Sequence, residues 1–362
     1  MTAVADAFSG SYRQARAKFL DAAATAGLQV RSHVHPGKGR DGEELAMDVA
    51  LDGPAHAGKL LIVTSACHGV EGYCGSGVQV LALGDAAWRD KARTAGVAVL
   101  YVHALNPYGF SHIRRATQEN VDLNRNFHDY AKPLPANEAY REIHSLLLPE
   151  EWPPTEQNAQ AVAHYLATRG LAAWQAAISA GQREFADGMF FGGTGPCWSN
   201  TTFRQVLRDH AQDAARVAWI DIHTGLGPSG VGERIFAGRD DAAAIARARQ
   251  WWGNQVTSIY DGTSTSALLT GMVCAAAYEE CPQAEYTGIA MEYGTVPVLE
   301  VMQALRAEHW LHNHPDAPAA LAADIKRQMM QAFYTDTGVW KEQVAQQARE
   351  ALLQAVDGLA GT

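Results

Sequence analysis

Three short runs of almost unbroken apolar residues constrain this chain most: 59–65 (KLLIVTS), 97–105 (VAVLYVHAL) and 215–223 (ARVAWIDIH). They read as strands covered on both faces, as in the interior of a parallel sheet. A late strand at 287–293 (TGIAMEY) and two earlier β-like runs, 28–35 and 45–51, accompany them. The run at 45–51 alternates apolar and polar residues, which predicts one wet face. Segments of helical composition lie between the strands, at 11–26, near 76–93, within 136–187, near 240–258 and over most of 297–357. A glycine-rich bend at 69–77 leads into the second of these. Buried strands alternating with helices predict an α/β fold, a mixed and mostly parallel twisted sheet with helices on both faces. There is no internal repeat, low-complexity segment or linker, so residues 1–362 read as a single domain.

Composition narrows the function classes. Lys and Arg number 29 against 39 Asp and Glu, a formal charge of −10. An acidic chain with no basic run predicts neither a nucleic-acid partner nor attraction to anionic lipid. No apolar run approaches the roughly 18 residues that cross a bilayer, and Met1–Gly10 lacks the pattern of a signal peptide. Five scattered cysteines without a CxxC predict reduced thiols and a cytoplasmic location.

Sites in open α/β sheets gather at the carboxyl ends of strands. His68-Gly69-Val70-Glu71 follows the first buried strand, His223 ends the 215–223 strand, and Glu292 lies in the late strand. Two imidazoles and a carboxylate suit zinc, with a fourth position left for a water whose pKa falls to about 7. His68, Glu71 and His223 are therefore candidate ligands, and Glu292 a candidate base. Each has a plainer reading alone. With 14 histidines a His-x-x-Glu arises by chance, Glu71 suits a helix N-terminus, and His223 suits a hydrogen-bonded core position.

A further motif runs from 106 to 127: Asn106-Pro107-Tyr108-Gly109-Phe110, then Arg114-Arg115, then Val121-Asp122-Leu123-Asn124-Arg125-Asn126-Phe127. With His68-x-x-Glu71, His223 and Glu292 it resembles the zinc metallocarboxypeptidases of the carboxypeptidase A type, and their succinylglutamate desuccinylase and aspartoacylase relatives. The strings HGVEG, NPYGF, VDLNRNF, DIHTGLGP and EYGT look closest to a bacterial branch known only as a domain of unknown function. The resemblance spans 68–295. It implies one zinc per chain held by His68, Glu71 and His223, and Glu292 as general base. It implies Asn124 and Arg125 as the pair holding a substrate carboxylate, and Asp122 as the acid that orients His68. The arginine that polarises the scissile carbonyl falls on Arg114 or Arg115, with Arg115 preferred. The family's mobile tyrosine has no clear equivalent; Tyr278, Tyr260 and Tyr286 compete. Asp221 shares a strand face with His223 and either supports it or serves a structural hydrogen bond.

The function so implied is a zinc hydrolase acting on an amide bond in a carboxylate-bearing substrate, first a peptide C-terminus. An N-acyl amino acid, or peptide binding without turnover, are the alternatives. Among the remaining features, His309-x-x-His312-x-His314 reads as a solvated helix end, and His33 and His35 as solvent-facing. The 190–199 segment either lines a pocket, the reading preferred, or packs a turn, and the small residues of 262–271 read as a wall of the site. Cys67 points away from the ligand beside it.

Overall fold

The computed structural model describes residues 3–361. One seven-stranded sheet organises them: β1 (Val30–Lys38), β2 (Glu44–Asp52), β3 (Lys59–Thr64), β4 (Ala98–His103), β5 (Arg216–Ser229), β6 (Gly232–Phe236) and β7 (Glu285–Gly294), in the order β1-β2-β4-β3-β5-β7-β6. The inner four, β4-β3-β5-β7, are parallel, and the outer pairs are antiparallel. Strands β3 and β4 are the two most apolar runs, and the pairing places them side by side at the centre. The chain leaves β3 for β4 on one side and reaches β5 on the other. The carboxyl ends of β3 and β5 therefore border a crevice where the strand order reverses, the usual location of a ligand site.

Apolar side chains pack both faces of the sheet. One layer joins Val63, Tyr101 and Ile220 to Phe19, Val78 and Leu352 on helices Tyr12–Thr25, Gly72–Gly84 and Gly338–Ala360. The other joins Ile62, Leu100 and Trp219 to Phe203, Val206 and Leu207 on Trp198–Ala211. That helix is one the sequence pattern does not mark. No helix among the described residues is long and apolar enough to cross a membrane.

Strand β2 corrects the expectation of a wet face: Leu45–Ala50 are buried throughout. Its polar Asp48 is covered by Arg16, whose Nε and Nη2 donate to the carboxylate at 2.7 and 3.2 Å. The alternation marks a face that meets a charged helix rather than water. The glycines at 69–77 also act differently from a simple bend, because a helix begins at Gly72. A Cβ on Gly75 would stand 2.6 Å from that of Ser65, and one on Gly77 2.4 Å from the Phe8 ring. Missing side chains here let the helix lie close against the sheet at Gly75 and against the Phe8 ring at Gly77.

Candidate active site

At the end of β3 a single 3-10 turn, Gly69–Glu71, carries the His68 and Glu71 pair. Its amides are held by the loop that bears the two arginines: Gly69 N donates to Arg115 O at 3.1 Å and Val70 N to Arg114 O at 2.8 Å. A Cβ on Gly69 would meet the backbone of Gly109 at 2.1 Å. Backbone cannot yield as a flexible side chain does, so Gly69→Ala should destabilise the protein by about 3 kcal/mol or more. A melting temperature within a degree of wild type would contradict that close approach.

Strands β5 and β7 bring His223 and Glu292 into register as direct neighbours. The ring nitrogen Nδ1 of His68 lies 2.9 Å from Glu71 Oε1, and Nδ1 of His223 3.0 Å from Glu71 Oε2. The ligand atoms of these three buried residues all fall within 4.8 Å of one another. Nε2 of His223 lies 2.7 Å from Asp221 Oδ2, and Asp221 Oδ1 accepts from Thr64 Oγ1 at 2.5 Å. Thr64 in turn accepts from Trp219 Nε1 at 2.8 Å. Both readings of Asp221 hold: one carboxylate oxygen faces His223 and the other takes a structural hydrogen bond from Thr64. Nε2 of His68 stands 3.4 Å from Asp122 Oδ1 and 2.7 Å from Arg115 Nη2. Asp122 makes its closer contact with Arg115, whose Nε donates to Oδ2 at 2.9 Å.

Two Nδ1 atoms and a carboxylate converging on one point form a donor set that fits zinc, with the His223 imidazole backed by Asp221 at its other nitrogen. Such outer carboxylates fix the tautomer and raise ligand basicity. The electrostatics agree. Burial alone would raise the Glu71 carboxyl, but His68 and His223 pull it down to about 2. Burial alone would lower His223, yet Asp221 and Glu71 hold it well above the ordinary histidine value. Burial and the neighbouring Glu71 push Glu292 up to about 8. Glu292 Oε1 accepts from Leu226 N at 3.0 Å, a backbone contact that no sequence signal announces.

The structure separates the two arginines. Arg115 lines the cavity, its guanidinium 4.8 Å from the centre of the Phe190 ring. Arg114 turns away: its Nε lies 3.0 Å from Glu308 Oε1, Nη1 lies 2.6 Å from His312 Nδ1, and Nη2 donates to Asn120 Oδ1 at 3.0 Å. This corrects the solvated-end reading of the 309–314 histidines. His309 is buried, with Nε2 2.9 Å from Asp187 O, and His312 serves Arg114. His35 is likewise buried, packed edge-on against Trp198 at 4.8 Å.

Asn124 and Arg125 both line the cavity. Asn124 Oδ1 accepts from Val273 N at 2.9 Å. Arg125 donates to the backbone carbonyls of Ser179 and Asn124, each at 2.8 Å. It makes no ion pair among the described residues, and burial pulls its pKa down to about 10. Phe190 and Ser264–Ala267 form part of the wall, as expected of their segments. The Cys67 sulfur lies within 4.8 Å of ligand atoms of Asp221 and His223. Of the three tyrosines only Tyr286 lines the cavity, and its hydroxyl donates to Ala237 O at 2.9 Å.

The fold places the protein in the carboxypeptidase-like class of α/β structures. The structure of bovine thrombin-activatable fibrinolysis inhibitor, in complex with tick carboxypeptidase inhibitor, is similar with a TM-score of 0.52 at 10% identity, covering 97% of each chain. Residues 8–347 match DUF2817, described as a protein of unknown function, and the chain belongs to that family. A metallo-carboxypeptidase from Pseudomonas aeruginosa in complex with (2-guanidinoethylmercapto)succinic acid is similar at 14% identity and a TM-score of 0.45, over 95% of this chain and 68% of that one. Carboxypeptidase A from Helicoverpa armigera is similar at 12% identity and a TM-score of 0.42, over 89% and 73%. No curated protein sequence matches this chain.

Proposed function

We propose that this protein is a zinc-dependent hydrolase cleaving an amide bond in a substrate that bears a free carboxylate. The observation that carries the reading is the convergence of His68 Nδ1, Glu71 and His223 Nδ1 beside a buried glutamate at a cavity wall. Zinc held by those three residues supplies Lewis acidity for a carbonyl and acidifies water. Glu292 accepts the proton of the attacking water and delivers it to the leaving nitrogen. Only Oε1 of Glu292 is hydrogen-bonded among the described residues, which leaves Oε2 for that proton. Arg115, held by Asp122, presents its guanidinium where negative charge grows on the carbonyl oxygen. Asp221 and Asp122 keep the imidazoles oriented.

Arg125 and Asn124 hold the substrate carboxylate. A buried guanidinium bonded only to carbonyl oxygens retains an unbalanced charge, and a carboxylate arriving there satisfies both partners. Arg125→Ala should therefore lower kcat/KM on free-carboxylate substrates about 10 to 10² times more than on the same substrates amidated. Zinc content should stay the same, and Lys should not restore the loss, because it lacks the two-point fork. Equal losses on both substrate forms, with a lower melting temperature, would reduce Arg125 to a structural residue.

A further inference from the structure

The loop after helix Pro107–Ser111 does more than carry two arginine side chains. The carbonyls of Arg114 and Arg115 accept from the amides of Val70 and Gly69, in the turn that bears His68 and Glu71. The backbone just before them is strained. Ile113 has a φ of +52°, in the left-handed region that a β-branched residue rarely enters. Such a conformation persists only where the surroundings hold it. Two cations grip this stretch. Lys326 Nζ, from helix Ala319–Phe333, donates to His112 O at 2.8 Å and to Ile113 O at 3.4 Å. Arg114 is the second, with Asn120 and His312 on two of its nitrogens. Among the described residues one group joins the two cations: Glu308, on helix Val298–Asn313. Its Oε1 lies 2.7 Å from Lys326 Nζ and 3.0 Å from Arg114 Nε. Glu308 and Arg114 are both buried. Burial alone would raise the Glu308 carboxyl, but Arg114 and Lys326 pull it down to about 2, so it is ionised. Burial and Arg114 lower His309 to about 3 and His312 to about 4, so neither imidazole adds charge.

We propose that Glu308 is a positioning residue for the metal centre. It does not line the cavity and acts through Arg114 and Lys326. Holding the two cations together keeps Ile113 in its left-handed conformation. That conformation sets the Arg114 and Arg115 carbonyls where Val70 and Gly69 donate, and so fixes the turn on which His68 and Glu71 stand. The zinc reading above supplies one readout of this role, and the amides of the turn supply a second that needs no metal.

The test uses the full chain in two variants. Glu308→Gln keeps the side-chain shape and removes the charge, leaving two cations without an anion. Glu308→Gln/Lys326→Met removes one cation with the anion, so a single net positive charge remains as in wild type; it decides the matter should the first fail to fold. In the metal-free protein the amides of residues 68–71 should exchange with deuterium about tenfold faster than in wild type, while strand β3 stays protected. Zinc affinity, measured by chelator competition, should fall about tenfold in both variants, the low end of the loss when a group behind a metal ligand is removed. Wild-type exchange at 68–71 together with wild-type zinc affinity, whatever the melting temperature does, overturns the proposal and makes Glu308 a purely stabilising ion-pair residue. So does faster exchange spread evenly through β3, which marks global loosening. A wild-type protein that takes up no zinc refutes the ligand set instead, and exchange at 68–71 then decides this proposal alone.

Discussion

Glu292→Gln should lower turnover by at least about 10²-fold, the usual loss on removing a general base, while zinc stays bound. Glutamine keeps the shape, and its amide oxygen can still accept from Leu226 N, so the β5–β7 register around it is preserved. What disappears is a group able to take a proton. The carboxyl suits this task because burial and Glu71 raise its proton affinity, while His223, the Leu226 amide and Arg115 oppose that rise. The sign of the pH effect follows. The base works only when ionised, so wild-type kcat/KM should fall as pH drops through the Glu292 pKa, and the residual rate of the Gln variant should lack that limb. A Gln variant retaining wild-type turnover and the same acid limb would remove Glu292 from the reaction.

Substitution of either histidine should have the larger effect on metal. The purified wild-type protein should carry about one zinc per chain, and His68→Gln or His223→Gln essentially none after dialysis, because two remaining ligands do not hold the ion. Gln is chosen for its size. Removing His223 outright leaves Glu71 and Asp221 facing each other without the imidazole between them, and a buried unpaired charge destabilises by several kcal/mol. Metal content is therefore read on protein shown to be folded by circular dichroism. Asp221→Asn should keep the three ligands but weaken zinc about 10- to 10²-fold, as loss of a carboxylate behind a ligand imidazole does. A folded His223→Gln protein with one zinc per chain would refute the ligand set.

The sequence by itself determined the strands that build the crevice and the residues that end them. Burial on both faces is written locally, in the composition of KLLIVT and AVLYVH, and chain order then puts His68, His223 and Glu292 at neighbouring strand ends. Short β6 went unmarked because GERIF is too brief to show a period, and its strand character comes from pairing with β7. What only the tertiary structure decided depends on partners far along the chain. Arg114 and Arg115 are chemically identical neighbours, and no local pattern ranks them. Glu308 and His312, from a helix nearly two hundred residues later, draw Arg114 away and leave Arg115 to the cavity. The wet face expected of β2 vanished because Arg16 arrives from another helix to neutralise Asp48. Asp221 could be assigned to His223 only when Thr64 and Trp219 fixed its carboxylate. Periodicity reports whether a residue is covered, whereas the identity of what covers it is a long-range property, and the choice between charged side chains turns on that identity.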